Sequence, residues 1–182
     1  MIRTTRGILN SLLFQHKGLL NDETLTTFMA EAETIINSRP LAASNEASEE
    51  PLTPAHLLTL KNSVVQPPPG NFIHNDKFSK KLWRRVQYLA EVFWCRWKKE
   101  YINYLQSRQK WTRKGRNLQI GDIVLLCEEG VPRNRWEMCK VVKVYPSDDG
   151  LIRKVSVFIG RRKSTLDRPI TKLVLLIPVV KN

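Results

Sequence analysis

The chain has 182 residues, 42% of them hydrophobic, enough to bury a core in one or two domains. Its formal net charge is +13 and its pI is near 10.0, so an acidic partner is the first expectation. Three cysteines without a C-x-x-C pair and three scattered histidines argue against a disulfide framework or a zinc ribbon, and no apolar run has membrane-spanning length.

In chain order, Ile2, Ile8, Leu9, Leu12 and Leu13 predict a first helix over 1–15, closed by Lys17-Gly18. A second helix is better signalled. Asn21 or Asp22 can cap it, Glu23 suits its positive end, and Leu25, Phe28, Met29, Ala32, Ile35 and Ile36 form one stripe. Pro40 ends it at Arg39, because proline pushes its predecessor out of the helical region. The small, acidic stretch 42–50 reads as a loop, and Thr53-Pro54 opens a short helix through Leu60. These helices expose apolar stripes with no sheet to bury them, so they read as part of something larger or of an oligomer. Gln66–Gly70 (QPPPG) is a stiff connector.

Residues 78–111 predict one long helix. Leu82, Val86, Leu89, Phe93, Trp97, Tyr101 and Tyr104 recur by threes and fours, and Trp83, Ala90 and Trp94 widen that face. At helical spacing these aromatics read as packing residues rather than base-stacking ones. At about 45 Å the helix outruns a small domain and should link two bodies. Beyond it, turn signals separate five short strands: 123–127, 136–145, 151–159, a short one near 164–166, and 169–177. Five strands in some sixty residues suggest a small closed barrel. Its expected core is Val124, Leu126, Val142, Val144, Val157, Leu173 and Leu175.

Charge is unevenly spread. Residues 1–76 carry 5 basic against 8 acidic groups, 77–117 carry 13 against 2, and 118–182 carry 12 against 7. The middle and end are therefore the expected polyanion-binding parts. Phosphate contacts need Lys and Arg that reach a backbone, and they position without reading sequence. The chosen cations are Arg153, Lys154, Arg161, Arg162, Lys163, Arg168 and Lys172 in the strand region, with Lys110, Arg113, Lys114 and Arg116 on the approach to it. A rival class is a chromatin-peptide reader, with Trp136, Tyr145 and Phe158 as an aromatic cage for methylated lysine. The carboxylates offer no metal set: Asp22 and Glu23 suit a helix start, Glu31 and Glu33 point to different helix faces, and Asp148 and Asp149 are turn formers. No catalytic, cofactor or metal residue is assigned. Odd, unpaired cysteines and the absence of a signal-peptide pattern suggest a soluble intracellular protein, without membrane or small-molecule partners.

Five stretches occur in order: IINSRPL (35–41), EPLTPAHLL (50–58), WRRVQYLAEVFWCRWKKEYINYLQSRQKW (83–111), LQIGDIVLL (118–126) and RPITKLVLL (168–176). Together they resemble the C-terminal part of the integrase region of Pao/BEL-type retrotransposon polyproteins. The resemblance implies an α+β chain in four parts. Residues 1–62 would be the last helices of a ribonuclease-H-like core, 63–76 a Pro-rich linker, 77–111 the long basic helix, and 112–182 a five-stranded SH3-like β-barrel. It also implies nuclear DNA integration, with DNA or RNA backbone as ligand and the rest of an integrase or a second copy as partner. Integrases of this kind hold metal ions on two aspartates and a glutamate. The glutamate is expected just ahead of Met1 and the aspartates further upstream, so no catalytic residue carries over and the chain is not expected to be an enzyme. A transposon relic without a cellular role is the remaining alternative.

Overall fold

In the computed structural model, residues 2–18, 20–43, 51–60, 67–70, 72–79, 81–110, 116–128 and 130–179 are described. Four helices, α1 (Ile2–Gln15), α2 (Asp22–Asn37), α3 (Pro54–Thr59) and α4 (Leu82–Lys110), accompany a two-stranded ribbon and a five-stranded sheet. The chain forms two compact units. One comprises 1–39, 55–101 and 132–134; the other comprises 40–54, 102–131 and 135–182.

The helical unit is built as its residue spacing requires. Asn21 caps α2, its side chain accepting from the Thr24 N–H at 2.9 Å, with Asp22 and Glu23 in the first turn. The helix closes at Asn37, where Ser38 caps it, two residues before the proline boundary requires. On α4, Val86, Leu89, Ala90, Phe93, Trp94, Trp97 and Tyr101 are buried, together with Phe28, Ala32 and Ile35 of α2 and Ile8 and Leu12 of α1. The Phe93, Trp97 and Tyr101 rings stack in a row at 6.4 and 5.9 Å, and Phe28 meets Phe93 edge-on at 6.3 Å. These aromatics are core; Trp83, half-exposed and touching Phe72 edge-on, and Tyr104, 38% exposed, are exceptions to the expected packed face.

The long helix starts later than its periodicity suggests. His74–Phe78 forms a separate 3-10 turn within the stretch expected to be linker and first helical turn. Asp76 holds it, accepting from the Ile73 N–H at 2.9 Å and pairing with Arg84 at 2.8 Å. Of α4, Leu82–Tyr101 belongs to the helical unit and Ile102 onward to the sheet unit.

Arg133 is buried in the helical unit. Its guanidinium donates to the Gln87 side chain and backbone oxygen and to Glu31 Oε2 at 3.2 Å, while Gln87 Nε2 donates to Glu31 Oε1 at 2.7 Å. Burial pushes the Arg133 pKa down, opposed by Glu31 and Glu91. Glu31, which sequence spacing leaves as a surface carboxylate, is the anionic end of this cluster.

The sheet unit contains β1 (Ala42–Ala43), β2 (Pro51–Leu52), β3 (Ile123–Leu126), β4 (Met138–Pro146), β5 (Ile152–Ile159), β6 (Ser164–Pro169) and β7 (Leu173–Ile177). Ala42–Ala43, expected as loop, pairs antiparallel with Pro51–Leu52, and β1 lies against β7. The large sheet is antiparallel in the order β6-β5-β4-β3-β7. No ladder joins β6 to β7 among the described residues, so the five expected strands form an open sheet and hydrogen-bonded barrel closure is not seen. The sheet nevertheless curls. Arg168 on β6 pairs with Glu128, just past β3, at 2.6 Å, although two strands separate β6 from β3 in the sheet. Its concave face holds one core: Val124, Leu126, Cys139, Val141, Val155, Val157, Ile159 and Leu173.

The expected core position Val142 is wrong. Val142 is 40% exposed and Val141 takes its place. The register slips between Val141 and Lys143, so an extra residue bulges from β4 and shifts the alternation of the rest of the strand. Val144 thereby packs against the core, as does Leu175.

Asp122 ties the start of this sheet together. It is fully buried and accepts from the Gln119 N–H at 2.8 Å, the Val179 N–H at 2.9 Å and Arg116 Nη2 at 2.6 Å. Gly121, at φ +96°, makes the preceding turn, and an added Cβ there would lie 3.3 Å from Val179.

Candidate nucleic-acid interface

Of the eight expected phosphate-touching cations whose side chains are described, five hold a carboxylate: Arg116, Arg153, Lys154, Arg162 and Arg168. Arg116 is engaged by buried Asp122, so it is a structural residue and not a free approach cation. Arg153 Nη1 donates to Asp149 Oδ1 at 3.0 Å, Lys154 meets Asp167 at 2.7 Å, Arg162 meets Glu137 at 2.6 Å, and Arg168 meets Glu128. Hydrogen bonding to Arg153 holds the Asp149 carboxyl below its ordinary range, and Lys154, then Ser156, do the same for Asp167. Water screens such exposed pairs, so they contribute little to the fold. A phosphate oxygen can compete for them, at the cost of the existing contact. Lys110, by its side chain, and Arg113 and Lys114 lie outside the described residues.

Two expected cations, Lys163 and Lys172, have no carboxylate partner among the described residues. Lys163 is exposed in the Gly160–Lys163 turn, where its N–H donates to the Gly160 carbonyl at 3.1 Å and its φ is +47°. Lys172 is exposed in the 3-10 turn Ile170–Lys172, and its backbone oxygen accepts from the Cys127 N–H at 2.9 Å. Arg161 is exposed in the same turn as Lys163.

The chosen list omits two lysines that the strands place outward. On β4, β5 and β6, cross-strand partners form rows on the face opposite the core: Lys140, Phe158 and Thr165; then Lys143, Ser156 and Asp167; then Tyr145, Lys154 and Pro169. Lys140 is exposed with no partner among the described residues, and Lys143 lies over the Tyr145 ring at 5.0 Å. The alternation within 138–146 is the signal that could have found Lys140; the bulge hides Lys143 from it. Across these rows Tyr145 OH lies 3.0 Å from Ser156 Oγ, which donates to Asp167 Oδ1 at 2.5 Å.

The three aromatics of the proposed cage are not brought together. Trp136 precedes β4 and Tyr145 lies next to its last residue, Pro146, a separation of about 30 Å at full extension. Phe158 stands opposite Lys140, five residues from Tyr145 along β4. The Tyr145 ring, moreover, already carries two ammonium groups, Lys143 and Lys154, at 5.0 and 5.2 Å.

The long helix spends part of its charge internally as well. Arg84 serves Asp76, Arg96 donates to Ser11 and Gln15, and Lys98 lies over Trp94 at 5.8 Å. Among the described residues no group of three or more His, Cys, Asp or Glu is placed to hold a metal ion, and no helix is long and apolar enough to cross a membrane. Comparison with known proteins finds no match among curated proteins or solved structures. A family of unknown function, DUF5641, matches residues 81–176, from the turn before α4 into β7, and the chain belongs to that family.

Proposed function

We propose that this chain is the C-terminal part of the integrase region of a Pao/BEL-type retrotransposon polyprotein, and that it binds the DNA or RNA backbone rather than carrying out strand transfer. The observation that carries the proposal is the surface of the sheet unit. Lys140, Lys163 and Lys172 are exposed without an acidic partner among the described residues, beside ion pairs that reach solvent. Such a surface binds phosphate electrostatically and carries no base-reading element. The strand order, a meander whose last strand returns beside its first, supports an SH3-like barrel whose seam is bridged by Arg168–Glu128.

Binding rather than catalysis is favoured because four of the aspartates are committed: Asp76, Asp122, Asp149 and Asp167 hold turns, backbone N–H groups or cations. The helical unit exposes Phe14 and Leu60 at 82% and 87%, together with Ile2, Leu57 and Leu58. These exposed apolar side chains on α1 and at α3 support a protein partner, either the rest of an integrase or a second copy. The site of action in this reading is the nucleus.

The test is a salt titration of duplex binding by the full chain, using fluorescence anisotropy on unrelated sequences. If about 4–6 phosphates are neutralised, log K falls against log salt with a slope of about −4 to −5. A slope flatter than about −2, or affinity confined to one sequence, overturns the proposal.

A further inference from the structure

We propose that the outward face of β4, β5 and β6 is a stacking platform on which the Phe158 ring holds an unpaired nucleobase, so that single-stranded nucleic acid is the preferred ligand. The inference rests on the nucleic-acid reading above and adds the form of the ligand.

Phe158 is 37% exposed, on the face of β5 that points away from the core. In register it stands between Lys140 on β4 and Thr165 on β6, both exposed. Its strand then runs into the turn that carries Arg161, Arg162 and Lys163. Val142, outward like Lys140 and situated at the bulge, adds apolar surface between Lys140 and Lys143. An aromatic face bordered by lysines thus lies on a sheet, a rigid element that holds the ring at fixed height among the charges.

The charge selects the ligand class and the aromatic selects its form. Lys140 and Lys163 suit a phosphate backbone. A base within a duplex keeps both faces stacked on its neighbours, so a ring on a sheet surface cannot reach it. A base in a single strand can turn outward and lie on the ring, and this contact accepts any base because each has a π-face. Tyr145 does not compete for that role, because Lys143 and Lys154 already lie over it.

The experiment compares the full chain with Phe158→Ala, Phe158→Leu and Phe158→Trp on a fluorescein-labelled oligothymidylate and on its duplex with oligoadenylate. Circular dichroism confirms that each variant is folded; because Phe158 faces away from the core, Phe158→Leu retains the sheet. The expected result is a loss of about tenfold on the single strand for both Ala and Leu, retention by Trp, and less than twofold change on the duplex. Equal losses on both ligands, or no loss on the single strand, overturn the platform while salt-dependent binding by the parent chain leaves the broader reading standing. Absence of salt-dependent binding to either ligand overturns both.

Discussion

Replacing Asp122 tests the account of the sheet unit most directly. Its carboxylate is fully buried and accepts two backbone N–H groups and one guanidinium, joining the approach segment, the turn before β3 and the end of the chain after β7. Hydrogen bonds to a charged group contribute about 1.5–3 kcal/mol each. Two discounts apply after Asp122→Ala: the Arg116 side chain is 35% exposed and can hydrate, and Val179 lies at an exposed end. Gln119, half-buried, keeps an unsatisfied donor. The net expectation is a loss of about 3 kcal/mol, with about 2 kcal/mol for Asp122→Asn, whose amide must turn a donor toward one of the N–H groups. Arg153→Ala, which breaks an exposed and solvent-screened pair, serves as the control and should leave exchange close to the parent rate. Amide hydrogen exchange of the full chain, resolved by mass spectrometry, reads this locally. Peptides from β3, β4 and β7 should exchange roughly a hundredfold faster in Asp122→Ala, the kinetic equivalent of about 3 kcal/mol. Acceleration below fivefold would refute the idea that this carboxylate holds the strands' ends.

Three further outcomes are expected. Arg133→Ala should destabilise the chain by about 3 kcal/mol in urea titration, because Gln87 and Glu31 lose their buried partner, while Arg133→Met, which refills the volume, should cost roughly half as much. His16 is buried with Nδ1 unpartnered, its ring edge-on to Tyr88, and burial, then Lys77, Arg96 and His74, lower its pKa. The unfolded chain therefore takes up the proton first: stability is full above pH about 6.5 and falls as the pH drops toward the lower folded value, a dependence that His16→Phe should weaken in pH-resolved thermal melts. Replacing Arg161, Arg162 and Lys163 with alanine should reduce the magnitude of the salt slope by less than about 3, because Arg162 is held by Glu137, and by the same amount on unrelated duplexes.

Much of this was legible from residue order because it depends on local chemistry. Asn21 caps α2 through the adjacent Thr24 N–H, and a period of three to four along α4 marks the buried row from Val86 to Tyr101. Turn residues separate the strands: the 147–150 turn closes with the Gly150 N–H on the Ser147 carbonyl, and Gly150 supplies φ +74°. Each of these signals acts within a few residues, so sequence alone located α1 to α4 and the five strands of the large sheet, with boundaries a few residues out, while the β1–β2 ribbon and the His74–Phe78 turn escaped it.

What only the tertiary structure decided involves partners far apart in the chain. The bulge at Val142 depends on how β5 sits beside β4, and no spacing within β4 announces it. The pairing of Arg162 with Glu137 and Arg168 with Glu128 spans 25 and 40 residues, so a list of cations read from sequence overstates the charge free to meet phosphate. Asp122 looks like an ordinary turn aspartate until the chain end returns to it 57 residues later. Lys140 and Phe158 become one surface only when two strands align them. Composition sets the sign of the protein's charge, but which charges remain available is set by the contacts that folding makes between distant residues.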